Sequence, residues 1–392
     1  MRQLYLAATG QNRGKTTASL GLLDGFRRRG LHAGFMKPVG QRTVILDGVP
    51  ADEDAVLMQA VFGLPEALDV MSPVHIPRGF TKSYLAGEVV EDLGARIDVA
   101  HAAFAGHEVL LIEGTGHAGV GAVIGLSNAA VAARLRAPAV IVSEGGVGRP
   151  IDEIVLNASH FEAHGVAVAG AIVNKVRVDE QPGIERTLER GLAHHGIPLL
   201  GVLPYRPLLS NPTLEMVLEG VGGQVIHAGP DLDRVIDGVA IGAMEPRHML
   251  ERIGPGTLVI VPGDREDAIL TLAAAHVANA SWRMLPSTVE QIDELIVRTP
   301  GAVGAGPEDK ALGILLTGGY QPRPEVLDAV QQAGMFVAAV PDDTYTVASA
   351  VHDLLVKTHA ADAGKIQMIK ALVWEHLRID RLLDAAAEAV QP

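Results

Sequence analysis

The chain has 392 residues, 48% of them hydrophobic and 20% charged, and carries a formal net charge of −14. That length exceeds one ordinary core and predicts two or more domains, while the acidic surplus disfavours nucleic-acid backbones as partners. The absence of cysteine excludes disulfides, thiolate metal sites and a cysteine nucleophile, and it fits a reducing cytoplasm, the expected location.

The N-terminus reads as a first strand, at 3–8, rather than a signal peptide. No apolar run approaches the roughly 18 residues of a membrane span, so no membrane partner is expected. The strand runs into Ala8-Thr9-Gly10-Gln11-Asn12-Arg13-Gly14-Lys15-Thr16-Thr17, a glycine-containing loop that opens a helix. This is the context of a phosphate-binding P-loop. Residues Gly10 to Thr17 are the candidate nucleotide contacts: their backbone N–H groups and the helix N-terminus favour a phosphate. Lys15 would reach the β- and γ-phosphates, and the Thr16 hydroxyl would ligate Mg2+. Thr9 stands where the usual G-x-x-x-x-G-K-[ST] pattern has its first glycine. The basic run Arg27-Arg28-Arg29 falls at the end of the helix, where cations suit the helix dipole.

Further short apolar runs at 33–37, 109–113, 139–143, 167–174 and 199–203 alternate with helical patterns and predict an α/β fold, a parallel sheet with helices on both faces. In such a sheet ligands bind beyond the C-terminal strand ends. Lys37 ends one of these runs and Glu113 another, and an acid that follows Leu110-Leu111-Ile112 and precedes Gly114 is badly placed for a solvated surface residue. Asp54, at the start of a helix, or Asp52 as a nearby substitute for it, would join Thr16 and Glu113 around Mg2+, which accepts one or two carboxylates with phosphate oxygens and water. Asn174-Lys175-Val176-Arg177 lacks the acid that reads guanine, so ATP is expected over GTP. Asn174 either contacts the adenine edge or caps a turn. Gly145-Gly146-Val147-Gly148 is either a ligand-approaching loop or a tight turn.

Pro204, Pro207 and Pro212 predict an exit from a first domain at 1–205, with 206–223 as linker. A second, smaller α/β unit is expected at 224–355, with strands at 257–261, 313–316 and 336–340, followed by a C-terminal helical segment at 356–392 whose apolar residues recur at helical period. That segment is expected to dock or to dimerise. Residues 281–311 carry little pattern.

The ordered set Lys37-Pro38-Val39-Gly40, Asp54-Ala55, Ser72-Pro73 with His75, Glu113-Gly114-Thr115-Gly116 and Asn174 resembles dethiobiotin synthetase. Gly263-Asp264-Arg265 and Thr317-Gly318-Gly319 add the signature of a DRTGG domain. The whole chain thus resembles the N-terminal region of long phosphate acetyltransferases and related stand-alone proteins. The resemblance implies a homodimer or higher homo-oligomer, Mg-ATP as cofactor, and Lys15 and Lys37 acting on a transferred phosphoryl group. His117 and Gly40-Gln41-Arg42 depart from the dethiobiotin synthetase pattern. Dethiobiotin synthesis is therefore not expected, and neither is acetyl transfer, since no acetyltransferase-sized segment follows. Arg78, Lys82 and His117 are candidates for a different small-anion pocket or are plain surface residues. Two functions stay open: an ATPase or ATP-dependent phosphoryl-transfer enzyme acting on a small carboxylate or carbamate, and an ATP-binding switch for the DRTGG-like domain.

Overall fold

A computed structural model describes residues 1–46, 48–177, 182–229, 232–277, 311–354 and 356–388. It divides into two compact units, Met1–Leu209 with Lys357–Pro392, and Ser210–Val356. The sequence pattern at 281–311 lies outside the described residues except for Ala311.

In the first unit six strands form an all-parallel sheet: β1 (Arg2–Ala8), β2 (Ala33–Met36), β7 (Val109–Glu113), β8 (Ala139–Glu144), β9 (Val168–Val176) and β10 (Leu199–Pro204), in the order β10-β9-β8-β1-β7-β2. The expected parallel sheet is therefore present. Its strands carry unbroken apolar runs because both faces are covered; all five residues of β7 are buried. Helices α1 (Lys15–Arg28) and α2 (Glu53–Phe62) follow β1 and β2 in sequence. Between β2 and α2 the chain adds β3 (Val39–Gly40), which pairs in parallel with β6 (Val74–His75), and a hairpin of β4 (Thr43–Leu46) and β5 (Val49–Asp52). The hairpin was not expected from sequence; its Ile45 is 74% exposed.

The C-terminal segment is two helices, Ala363–His376 and Ile379–Glu388, rather than one. Their apolar face is spent within the first unit: Ile366, Ile369, Leu372, Val373, Ile379, Leu382 and Leu383 are buried in its core. Gly21 and Gly25 on α1 admit this approach, because a Cβ at either position would overlap Val373 or Ile379. Two arginines of the basic run serve the same docking, while Arg27 turns to Phe62 of α2. Arg28 and Arg29 lie over the Trp374 ring at 5.2 and 4.9 Å from its centroid, and Arg29 pairs with Asp380 at 2.8 Å. The apolar helical face thus gives no support to a dimer, an expectation that now rests on the resemblance alone.

The second unit holds a five-stranded sheet in the order β11-β15-β14-β13-β12, made of β11 (Gln224–His227), β12 (Gly238–Ile241), β13 (Thr257–Pro262), β14 (Gly313–Thr317) and β15 (Phe336–Ala339). All neighbours are parallel except β11 and β15. The segment at 206–223, read as a linker, is mostly structured. Helix Leu214–Val221 buries Leu214 and Val217 in the second unit's core, and Gly222 ends it in the left-handed conformation. Among the described residues no helix is long and apolar enough to cross a membrane.

Candidate functional site

The site lies where β1, β2 and β7 end. Gly14 caps α1 at φ 93°, and no side chain caps the helix. By contrast α2 is capped by Asp52, helix Leu93–Ala102 by Asp92 and helix Asn128–Leu135 by Ser127. The first-turn N–H groups of α1 are thus left without a side-chain acceptor, as they also are in helices Gly148–Ala163 and Ile184–Ala193; what sets α1 apart is that its start lies at the end of β1 beside buried Lys15 and Lys37, where such N–H groups can receive an anion. Gly14 is required twice over. An L side chain is strained at that φ, and its Cβ would overlap the Asn174 amide.

Asn174 is turned onto the loop itself, its Nδ2 donating to Arg13 O at 3.1 Å. Lys175 Nζ donates to Asn12 O at 2.9 Å. Asn12 (φ 58°) and Lys175 (φ 55°) both hold left-handed backbone without being glycine, so the end of β9 clamps a strained loop. Thr9 ties the loop to β8 through Ser143 Oγ at 3.1 Å, a polar contact that a glycine at position 9 could not make. Arg13 turns to β8 as well and pairs with Glu144. Gln11 and Asn12 are exposed at the loop tip, and Gly10 and Thr17 are half-buried.

Around α1 the predicted acids and cations converge. Lys37 Nζ donates to Asp54 Oδ2 at 2.5 Å and to Glu113 Oε1 at 2.8 Å, and lies 4.0 Å from Asp52 Oδ1. The Thr16 hydroxyl donates to Asp54 Oδ1 at 2.9 Å and lies 3.5 Å from Glu113 Oε1. Burial acts to lower the Lys37 pKa, but the three facing carboxylates outweigh it and hold the pKa well above the usual lysine range. Glu113 is pushed up to about 7, by burial first, against the pull of Lys37. Burial also acts to raise Asp54, yet Lys37 and the Thr16 hydroxyl hold it below the usual carboxylate range. Lys15 is 9% exposed, and burial, then Lys37, lower its pKa to about 8. An arriving phosphate would offset both effects. Asp52, the substitute weighed for Asp54, is instead the cap of α2, accepting from the Asp54 and Arg42 N–H groups.

Two residues that sequence reasoning missed complete the site. Ser19, one turn beyond Lys15, is fully buried and donates to Glu113 Oε2 at 2.6 Å. Asn128 orders the loop after β7: its Oδ1 accepts from Tyr5 Oη and the Thr115 N–H, and its Nδ2 donates to Thr115 O and His117 O. A Cβ on Gly114 would run into Asn128 and Tyr5. Arg78, Lys82 and His117 are exposed, and His117 Nδ1 is turned back to the Gly119 N–H at 3.2 Å. Gly145 (φ 40°) and Gly146 (φ 82°) form a tight turn into helix Gly148–Ala163. No cluster of three or more His, Asp or Glu suited to a metal occurs among the described residues. The donor set here is sparser, two carboxylates and a threonine hydroxyl, all hard oxygens. That fits Mg2+, which draws its remaining ligands from phosphate and water.

A model of the AAA domain matches residues 2–213, the span that carries this whole site up to the start of the second unit. The chain belongs to the AAA domain family. Next to this AAA domain, a model of the DRTGG domain matches residues 216–354. The chain is similar to phosphate acetyltransferase of Nitrosomonas europaea, 25% identical over 99% of this chain and 52% of that protein. It is also similar to phosphate acetyltransferase of Pseudomonas putida, 28% identical over 96% of this chain and 51% of that one. The chain thus spans about half the length of the curated relatives it matches. Among solved structures, the cell division ATPase MinD of Pyrococcus furiosus matches 53% of this chain and 86% of its own, at 14% identity and a TM-score of 0.32.

In the DRTGG unit the signature residues meet at the strand ends. Gly263 N–H donates to Thr317 O, Thr317 Oγ1 contacts Thr344 Oγ1 at 2.7 Å, and Gly318 N–H donates to Asp342 O. Arg265 pairs with Asp267. Each of these polar groups is spent on a neighbour within the unit.

Proposed function

We propose that the AAA domain binds ATP as its magnesium complex and turns it over, by hydrolysis or by phosphoryl transfer to a small carboxylate or carbamate. The observation that carries this reading is the convergence of Thr16, Lys37, Asp54 and Glu113 within hydrogen-bond distance beside the uncapped start of α1. Thr16, Asp54 and Glu113 would hold Mg2+, which when bound supplies charge neutralisation at the phosphates. Backbone N–H groups of residues 10–17 would cradle the phosphates, Lys15 would neutralise the β- and γ-oxygens, and Lys37 would meet charge that develops on the transferred group. Catalysis of this kind needs positioned charge and no protein nucleophile. Asn174, committed to Arg13 O through its amide nitrogen, keeps its Oδ1 as the atom available to an adenine N6–H. A cytoplasmic, oligomeric protein is part of this reading.

A second reading is favoured by one observation: the DRTGG unit, 210–356, is inserted between the sheet of the AAA domain and the C-terminal helices that complete that domain's core. Binding of ATP without turnover would then set the state of the inserted unit. ADP release, measured with and without added small carboxylates and amines, separates the two. Mg2+-dependent release that is lost in Glu113→Ala supports the enzyme. Saturable ATP binding with no release under any condition leaves the switch.

A further inference from the structure

The carboxylate pair of the site already holds a cation. Asp54 Oδ2 and Glu113 Oε1 accept from Lys37 Nζ, Asp54 Oδ1 accepts from Thr16 Oγ1, and Glu113 Oε2 accepts from Ser19 Oγ. All four carboxylate oxygens are therefore engaged. Lys37 itself is 4% exposed, and Glu113 is fully buried. Asp54 is half-buried, with its side chain 26% exposed, and two acids brought together with one of them wholly out of water repel one another unless a positive charge lies between them. The ammonium supplies that charge from the end of β2. A divalent ion claiming the same oxygens would lie within a few ångströms of it, where two positive charges in a poorly screened site oppose each other strongly. The hydroxyls of Thr16 and Ser19 are short and fixed on α1, whereas Lys37 sits on a four-carbon stem that can swing.

We propose that Lys37 is a resident cation of the Asp54–Glu113 pair, holding the carboxylates together in the ion-free protein and leaving them when a divalent ion binds. Its ammonium thereby becomes free to meet an anionic group only in the loaded site. This rests on the Mg-nucleotide reading above and adds to it an antagonism between Lys37 and the metal.

The test is Mg2+ binding without nucleotide, by calorimetry, in the full-length protein and in Lys37→Met and Asp54→Asn. Removing the competing charge should tighten Mg2+ binding by about tenfold or more in Lys37→Met, and Asp54→Asn should lose it. Equal or weaker binding in Lys37→Met, with Asp54→Asn still impaired, would overturn the antagonism and leave the Mg-nucleotide reading standing. If Asp54→Asn binds Mg2+, alone and with ATP, as the wild type does, the Mg-nucleotide reading itself fails. Should Lys37→Met not fold, amine acylation of the wild type read by peptide mass spectrometry serves instead. Lys37 is shielded and charged in the ion-free protein, so its labelling should rise several-fold on adding Mg2+; unchanged or reduced labelling would overturn the proposal.

Discussion

Gly14 shows how a single position joins sequence, backbone and site. Its φ of 93° and the overlap that any Cβ would make with the Asn174 amide predict that Gly14→Ala loses nucleotide binding. The residue strain alone is about 1–2 kcal/mol. Adding Asn174→Ala should remove the overlap and recover part of the folding stability that Gly14→Ala loses, though not the binding to which Asn174 itself contributes; unchanged ATP binding by Gly14→Ala in a calorimetric titration would contradict this. Ser19→Ala would leave a fully buried Glu113 oxygen without its donor, and a loss of about 1–3 kcal/mol in denaturant unfolding is expected. Lys15, Lys37 and Glu113 stand out in the sequence because each lies at a strand end or helix start, next to Gly or Pro or after an apolar run, whereas Thr16 and Asp54 stand out only as oxygen donors in the first turn of a helix. Ser19 and Asn128 do not. A serine within a helix and an asparagine at a helix start are ordinary there, and their partners come from strands 94 and 123 residues away. Asn174 was read as a base contact or a turn cap, and its hold on the P-loop carbonyl of Arg13 appears only with the fold.

At the scale of elements, the contact between α1 and the C-terminal helices is the feature that sequence periodicity half revealed. The apolar spacing from Ile366 to Leu383 was visible; its partner was not, because small residues such as Gly21 and Gly25 acquire meaning only when a facing helix is known. Gly21→Leu should force this interface apart, costing about 1–3 kcal/mol, and Val373→Ala in the same chain should return part of that loss. Additive effects of the two changes in denaturant unfolding would contradict the contact. The central strands were read from sequence because burial on both faces gives continuous apolar runs. The short strands β11 and β12 at the sheet edges, and the exposed β4–β5 hairpin, have mixed exposure and lack that signal.

For the whole molecule, the α/β class and the presence of two units were legible, but the return of the chain to its first unit was not, since no local pattern announces a discontinuous domain. Each unit has its own core. We therefore expect two unfolding transitions in calorimetry, of which Mg-ATP raises one. At a hundred times the dissociation constant the gain is about 2.7 kcal/mol, and it should vanish in Lys15→Ala. A Mg-ATP shift of both transitions together would mean that the units unfold as one. Whether α1 and the carboxylate pair form a Mg-nucleotide site is decided by titrating the purified protein calorimetrically with ATP, with and without Mg2+, beside Lys15→Ala. Saturable, Mg2+-dependent binding in the wild type that Lys15→Ala loses is expected; binding that is absent in the wild type, or undiminished in Lys15→Ala, would contradict a nucleotide site at α1.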